Sequence, residues 1–185
     1  MEGLRELREL MLRAPRLTLA VAESVTCGRV QARIGEISGA SEFFLGGLTA
    51  YALEAKARHL GVERAMAAAC DGVSAEVVAQ MARGAAALFG ADVGVATTGY
   101  AEPIKEGGET GDRRPGAGGR GDGREPFAFW AVAWRGPLHG SKGGGGWETR
   151  TGKIVCLGAT RAAAQGLIAD AALAELLAHL RATRG

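Results

Sequence analysis

The chain has 185 residues, a mass of 19.0 kDa and a formal net charge of +2, which suits a single domain, residues 1–185, with a full hydrophobic core. The net charge is too small, and Lys and Arg are too scattered, for a nucleic-acid-binding surface. The three cysteines, Cys27, Cys70 and Cys156, stand far apart, so neither a disulfide framework nor a zinc site is expected. We expect reduced thiols in a cytoplasmic protein that needs no metal and no cofactor.

The first predicted element is an amphipathic helix, because Leu4, Leu7, Leu10 and Met11 recur at helical spacing before Pro15. The charged residues between these positions distinguish this helix from a signal peptide. The chain contains no run of about 20 apolar residues, the length that a membrane-spanning helix needs. We therefore expect no membrane among its partners.

A short apolar run at residues 17–22 predicts a buried strand, and small and hydroxyl residues follow it directly at residues 23–28. In α/β proteins such residues stand at the carboxyl ends of strands, where ligands bind. Thr26 could cap the helix that is predicted over residues 29–37, and the exposed N–H groups there could bind an anion. A plain turn from strand to helix explains the same residues.

The stretch at residues 39–56 combines Ser41, Tyr51 and Lys56 around a pair of glycines. A serine hydroxyl needs a base beside it to act as a nucleophile, and a lysine with a lowered pKa can be that base. Tyr51 could orient the pair or relay a proton. The alternative is that Ser41 caps a helix and that Tyr51 and Lys56 are ordinary residues of a predicted strand and helix over residues 48–60.

The second half of the chain repeats the pattern of helices and strands. Ser74 is expected to cap a helix whose apolar face runs to Gly90. A β-branched run predicts the next strand, and a second polar loop containing glycine follows it at residues 98–103. The remaining predicted elements are a short helix at residues 62–66, the strand at 91–98, a hairpin of strands at 127–134 and 147–156, and a helix at 159–181.

Residues 104–126 show no hydrophobic periodicity and are rich in glycine and arginine. We interpret them as a mobile loop, which is how such a composition behaves when it can bury little apolar surface. Arginines in a loop beside a site could bind phosphate. A solvated linker is the alternative interpretation of the same residues.

The order of the predicted elements defines the expected fold class. Strands alternate with helices in the first half, and a hairpin and a long helix complete the chain. This order predicts a three-layer α/β/α fold with a mixed, mostly parallel sheet.

Several motifs, in order, resemble the C-terminal domain of the CinA family, the nicotinamide mononucleotide deamidases. Any one of them is a weak signal, but five in register between Leu17 and Pro103 are specific. The matching segments are residues 22–28 with A-E-S-C-T-G-G, 39–47 with G-A-S-x-x-F-x-G-G, 51–56 with Y-S-N-E-A-K, 72–85 with V-S-E-x-V-A-x-x-M-A-x-G-A, and 98–103 with T-G-I-A-G-P.

The resemblance implies an amidohydrolase that converts nicotinamide mononucleotide to nicotinate mononucleotide and ammonia. It implies that Ser41 is the nucleophile, Lys56 the base and Tyr51 a helper, with N–H groups of a loop around the oxyanion. It further suggests a homo-oligomer, a dimer or larger, whose partner is a small nucleotide substrate. The residues expected to hold that substrate are Glu23, Ser24, Thr26, Gly28, Thr98, Gly99 and Tyr100.

The binding loops depart from the family pattern while the serine, tyrosine and lysine are kept. Val25 and Cys27 replace a cysteine and a glycine, and Tyr100 and Glu102 replace an isoleucine and a glycine. A carboxylate at position 102 removes close backbone approach to a ligand and would repel a phosphate. Arg161 is displaced from the G-D-R that starts the family's last helix. The alternative function is therefore a catalytically inactive nucleotide-binding or interaction module on the same fold.

A short-chain dehydrogenase also uses serine, tyrosine and lysine, and this class can be excluded. Its tyrosine and lysine lie four residues apart, whereas Tyr51 and Lys56 lie five apart. It also needs an early glycine-rich dinucleotide turn, and residues 23–28 do not form that pattern.

Overall fold

The computed structural model describes residues 2–103, 125–136 and 146–185. Helices and strands alternate through the first half of the chain, as predicted, and a hairpin and a long helix follow. The elements are α1 (Glu2–Leu12), β1 (Leu19–Glu23), α2 (Arg29–Gly35), a 3-10 helix (Ala40–Glu42), β2 (Phe44–Thr49), α3 (Leu53–Leu60), α4 (Arg64–Ala69), α5 (Ala75–Phe89), β3 (Val93–Tyr100), β4 (Phe127–Arg135), β5 (Trp147–Val155) and α6 (Arg161–Arg184).

The five strands form one mixed sheet in the order β2-β1-β3-β4-β5. The first three are parallel, with β1 between β2 and β3. β4 runs antiparallel to β3, and β5 is the antiparallel partner of β4, so the predicted hairpin is confirmed. Because β1, β2 and β3 point the same way, the loops that follow them meet at one edge of the sheet, here called the carboxyl edge.

Helices cover both faces of the sheet, which confirms the three-layer α/β fold. One face packs against α1, α2 and α6 through a core that includes Leu7, Val21 and Leu176. The other packs against α3, α4 and α5 through smaller residues such as Ala22 and Ala82. Alternation along β1 explains this division, since Leu19 and Val21 face the first core while Ala20 and Ala22 face the second.

One predicted strand differs clearly from the strand observed. The strand expected at residues 48–51 is β2, which begins earlier at Phe44 and ends at Thr49. The start of β2 was not predicted because Gly46 and Gly47 lack the β-branched side chains that are typical of a strand. The glycines are needed there because a Cβ at Gly46 would meet the side chain of Phe89, and a Cβ at Gly47 would meet that of Gln31. The predicted cap of α5 is observed, since the Ser74 hydroxyl accepts the N–H of Val77.

Helix α6 alone reaches the length and mean hydropathy of a membrane span within the described residues. In this fold 56% of its most apolar window is buried, and Ile168, Leu176 and Leu180 are fully enclosed by the protein. Its apolar surface is therefore used in the core of the domain. Most of the loop predicted at residues 104–126 lies outside the described residues.

Candidate active site

Lys56 is a buried lysine at the carboxyl edge, since its amine is charged in water and the residue is only 4% exposed here. It lies in the second turn of α3, and its Nζ donates to the carbonyl oxygen of Gly72 at 3.5 Å. The Thr98 hydroxyl donates to the same oxygen at 2.7 Å. Burial lowers the pKa of Lys56, and the nearby Asp71 and Cys70 oppose that shift.

The turn at residues 70–72, between α4 and α5, surrounds the lysine with polar groups. The Tyr100 hydroxyl donates to Oδ2 of Asp71 at 3.1 Å, and burial, reinforced by Asp71, raises the pKa of Tyr100. Asp71 has a φ of +52°, and Cys27 across the same edge has a φ of +50°. These are the two non-glycine residues with positive φ in the described part of the chain, and such strain concentrates at functional sites.

Ser24 lies at the same edge and on the same face of the sheet as Lys56. Its N–H donates to the carbonyl oxygen of Thr97 at 3.0 Å, one residue past the pairing of Glu23 with Thr97. In the register of the two strands Ser24 therefore lies beside Thr98. The Thr98 hydroxyl and the Lys56 amine both donate to the carbonyl oxygen of Gly72. Within the described residues the Ser24 hydroxyl has no hydrogen-bond partner, although the side chain is only 6% exposed.

The predicted pairing of Ser41 with Lys56 within one chain is wrong. Ser41 is exposed in the 3-10 helix that precedes β2, whereas Lys56 follows β2. The six residues of β2 span roughly 20 Å at the usual rise of a strand. The spacing in sequence could not reveal this separation, because the strand lies between the two residues and carries them to opposite edges of the sheet.

The surroundings of Ser41 contain acids and arginines in place of a lysine. Arg8 forms an ion pair of 2.7 Å with Glu42, the residue after Ser41. A groove of about 580 Å³ lies there, between α1 and the segment at residues 36–42. It is larger than a second groove of about 290 Å³ between α1 and α6, yet it lies at the edge away from Lys56.

Tyr51 lies at the carboxyl edge but faces solvent, with 56% of its surface exposed. Its hydroxyl accepts a hydrogen bond of 2.9 Å from Nη2 of Arg161, the first residue of α6. Nη1 of the same guanidinium lies 3.6 Å from Oε2 of Glu102. Arg161 therefore contacts both Tyr51 and Glu102, two residues that the sequence singled out. Although it is displaced from the arginine of the family's G-D-R motif, it still lies at the carboxyl edge.

Glu23, Thr26 and Gly28 were expected to touch substrate, and in the structure each of them has a role in building the fold. The buried Glu23 carboxylate accepts the N–H groups of Gly28, Val30 and Gln31 at 2.9–3.1 Å, and so caps α2. The Thr26 hydroxyl is fully buried against that of Thr97 at 2.7 Å. Gly28 is the left-handed N-cap residue of α2. These residues build the turn after β1, which is the structural alternative that the sequence left open.

Two more of the expected contacts have structural roles. Gly99 lets β3 approach β4, because a Cβ there would clash with the backbone of Phe127 and Ala128. Thr98 is fully buried, and its hydroxyl is committed to Gly72. Ser24 and Tyr100 remain available to a ligand. The turn at residues 70–72 was missed by the sequence analysis, although an Asp-Gly pair between two helices is a signal for such a turn.

These features define a three-layer α/β protein with a polar site at the carboxyl ends of its parallel strands. The family model for the CinA C-terminal domain matches residues 2–116. The chain therefore belongs to the CinA family.

Similar proteins extend this assignment along the chain. A CinA-like protein of Chlorobium limicola is 34% identical over 175 residues, which cover 95% of this chain and 36% of that protein. One from Geobacter sulfurreducens is 47% identical over 93 residues, 50% of this chain and 22% of that protein. The chain thus spans about a third or less of these curated relatives.

Solved structures match over nearly the whole length of both chains. A CinA superfamily protein of Klebsiella pneumoniae aligns with a TM-score of 0.75 at 26% identity, covering 98% of this chain and 97% of its own. A competence or damage-inducible protein of Enterobacter asburiae aligns with a TM-score of 0.74 at 30% identity, covering 97% and 96%.

Proposed function

We propose that this protein is an amidohydrolase that deamidates nicotinamide mononucleotide to nicotinate mononucleotide and ammonia. The observation that carries the proposal is Lys56, a buried lysine whose pKa is lowered by burial at the carboxyl edge of the sheet. A lysine in that condition is a neutral amine more often than a lysine in water, so it can accept a proton from a hydroxyl. Membership of the CinA family supports the choice of the reaction and the substrate.

Ser24 is the better candidate for the nucleophile than Ser41. It shares an edge and a face of the sheet with Lys56, and its hydroxyl is free of other partners in the described residues. Ser41 can meet Lys56 only if it comes from a second copy of the chain. Ser24, in place of Ser41, is therefore the proposed nucleophile, and Lys56 remains the proposed base.

The reaction proceeds in two steps. The Ser24 oxygen attacks the carboxamide carbon of the substrate while Lys56 takes the proton of the Ser24 hydroxyl. The carbonyl oxygen of the substrate becomes an oxyanion. The amide nitrogen takes the proton back from Lys56 and leaves as ammonia. Water then attacks the ester with Lys56 again as the base, and the acid and the free hydroxyl are restored.

The turn after β1 offers donors for the oxyanion. The N–H groups of Val25 and Thr26 follow Ser24 directly, and neither has an acceptor among residues 2–103, 125–136 and 146–185. Fixed N–H groups next to a nucleophile stabilise the charge that develops on the substrate. Because Glu23 anchors the start of α2 through three N–H groups, this turn is rigid before substrate binds.

The test is ammonia release from nicotinamide mononucleotide by the wild-type protein, Ser24→Ala and Ser41→Ala. We expect Ser24→Ala to lower kcat by at least about a thousandfold, as removal of a nucleophile does, and Ser41→Ala to stay within about twofold. The reverse result would assign the nucleophile to Ser41 of another copy. If the folded wild-type protein releases no ammonia, the inactive binding module replaces the enzyme.

A further inference from the structure

In the described residues Arg161 is a half-exposed cation at the carboxyl edge, and two of its nitrogens already face partners. Nη2 donates to the Tyr51 hydroxyl at 2.9 Å, and Nη1 lies 3.6 Å from the Glu102 carboxylate. About half of the Arg161 side chain, 47%, is exposed. A ligand can therefore reach the guanidinium, but it meets the negative charge of Glu102 at the same place.

We propose that Glu102 is a specificity-determining residue that occupies Arg161 and so weakens the binding of phosphorylated ribosyl amides relative to the same amides without a phosphate. The inference rests on the proposed function and concerns the substrate class of that site. Its basis is the contact of Glu102 with Arg161, which an incoming phosphate must replace.

Electrostatics sets the size of the effect. A phosphate monoester is close to a dianion at neutral pH, and each of its charges at about 4 Å from a carboxylate in water is repelled enough to weaken binding by roughly fivefold. Loss of the existing ion pair adds a smaller amount, because the pair is exposed. Together these contributions weaken binding of a phosphorylated ligand by roughly thirtyfold. An uncharged ribose meets neither penalty.

The geometry distinguishes Glu102 from the other acids of this edge. Glu54 lies in α3, but its carboxylate pairs with Arg64 at 2.5 Å. Asp71 accepts from Tyr100, and Glu125 accepts the N–H of Gly158 at 2.7 Å. In the described residues Glu102 is the acid paired with Arg161. Replacing Glu54 by glutamine therefore makes the same change of charge without releasing that arginine.

The experiment compares nicotinamide mononucleotide with nicotinamide riboside as substrates of the wild-type protein, Glu102→Gln and Glu54→Gln. For Glu102→Gln we expect the KM for the mononucleotide to fall by roughly thirtyfold, the KM for the riboside to stay constant, and kcat to change little for both. Glu54→Gln should resemble the wild-type protein. An equal change of KM for both substrates would overturn the inference.

A double variant separates occupation of Arg161 from simple repulsion of the phosphate. If Glu102 acts by holding Arg161, most of the gain from Glu102→Gln should vanish in an Arg161→Gln background. A full gain in that background would show that the arginine has no part in the effect, and would contradict the proposed mechanism of discrimination.

Failure of the proposed function would be visible separately. If the wild-type protein hydrolyses neither substrate, binding of ribose 5-phosphate is measured by calorimetry for the same set of variants. Tighter binding to Glu102→Gln than to the wild-type protein and Glu54→Gln would support the role of Glu102 without any turnover. Equal binding to all three would overturn it.

Discussion

Lys56 and Thr98 donate to one acceptor, the carbonyl oxygen of Gly72, at 3.5 and 2.7 Å. This shared contact ties α3 to the end of β3 and brings the lysine amine out of solvent. A Cβ on Gly72 would lie 3.0 Å from the Lys56 Nζ, so the absence of a side chain there makes room for the amine. The position of the lysine is thus set by backbone groups that are distant in sequence.

The proposed role of Lys56 predicts how activity depends on pH. The neutral amine is the active form, so kcat/KM should rise with pH through the lowered pKa of Lys56. Asp71 opposes the effect of burial, so Asp71→Asn should move the rising limb of the pH–rate profile to lower pH. Asn tolerates the positive φ of this position.

The matched control for that shift is Asp170→Asn. Asp170 lies in α6, is exposed and forms an ion pair with Arg33 of α2. It takes no part in the surroundings of Lys56, so this variant should keep the wild-type pH–rate profile. A rising limb that moves to higher pH in Asp71→Asn would contradict the assignment of Lys56 as the titrating base.

Lys56→Met should make the protein more stable while it removes activity. Because the folded-state pKa of Lys56 lies below its unfolded value, the unfolded chain binds more protons between the two values, and the free energy of unfolding rises with pH. The cost of burying the cation is therefore greatest below the folded-state pKa. At neutral pH we expect Lys56→Met to raise the free energy of unfolding by roughly 1 kcal/mol.

Urea unfolding at several pH values from 6 to 10 checks this prediction. The advantage of Lys56→Met over the wild-type protein should shrink as the pH rises. An advantage that grows with pH, or a destabilised variant at pH 6, would be inconsistent with a lowered pKa of Lys56.

Glu23→Gln should destabilise the fold, because the buried Glu23 carboxylate anchors the start of α2. Its two oxygens accept three N–H groups, and glutamine would present its own donors to some of them. We expect a loss of about 2 kcal/mol in the free energy of unfolding, typical when buried donors lose a charged acceptor. The exposed Glu54→Gln should change it by less than about 0.5 kcal/mol.

Gly84 allows α5 to lie close to α3, and Gly84→Ala tests that contact. A Cβ at this position would clash with the carbonyl oxygen of Leu60, and a backbone atom cannot rotate away. Thermal unfolding should show a loss of about 1–3 kcal/mol. Gly35→Ala is the matched control, since nothing lies within 4 Å of its Cβ, and it should be neutral or slightly stabilising.

Much of the fold could be predicted from local patterns. The apolar run that became β1, the cap at Ser74 and the hairpin of β4 and β5 are each specified by residues near one another in the chain. β2 was placed too late because Gly46 and Gly47 lack the side chains that mark a strand. Their absence is required by the packing of Phe89 and Gln31, which no local pattern records.

The sequence by itself determined the class of fold and the family and singled out Lys56 as a candidate base, because periodicity, turn residues and motifs in register are properties of neighbouring residues. Only the tertiary structure decided which residues meet at the carboxyl edge. The direction of β2 separates Ser41 from Lys56, while the parallel register of β1 and β3 brings Ser24 to the same face as Thr98. Arg161 reaches Tyr51 across 110 positions, and such contacts depend on packing that sequence spacing does not encode.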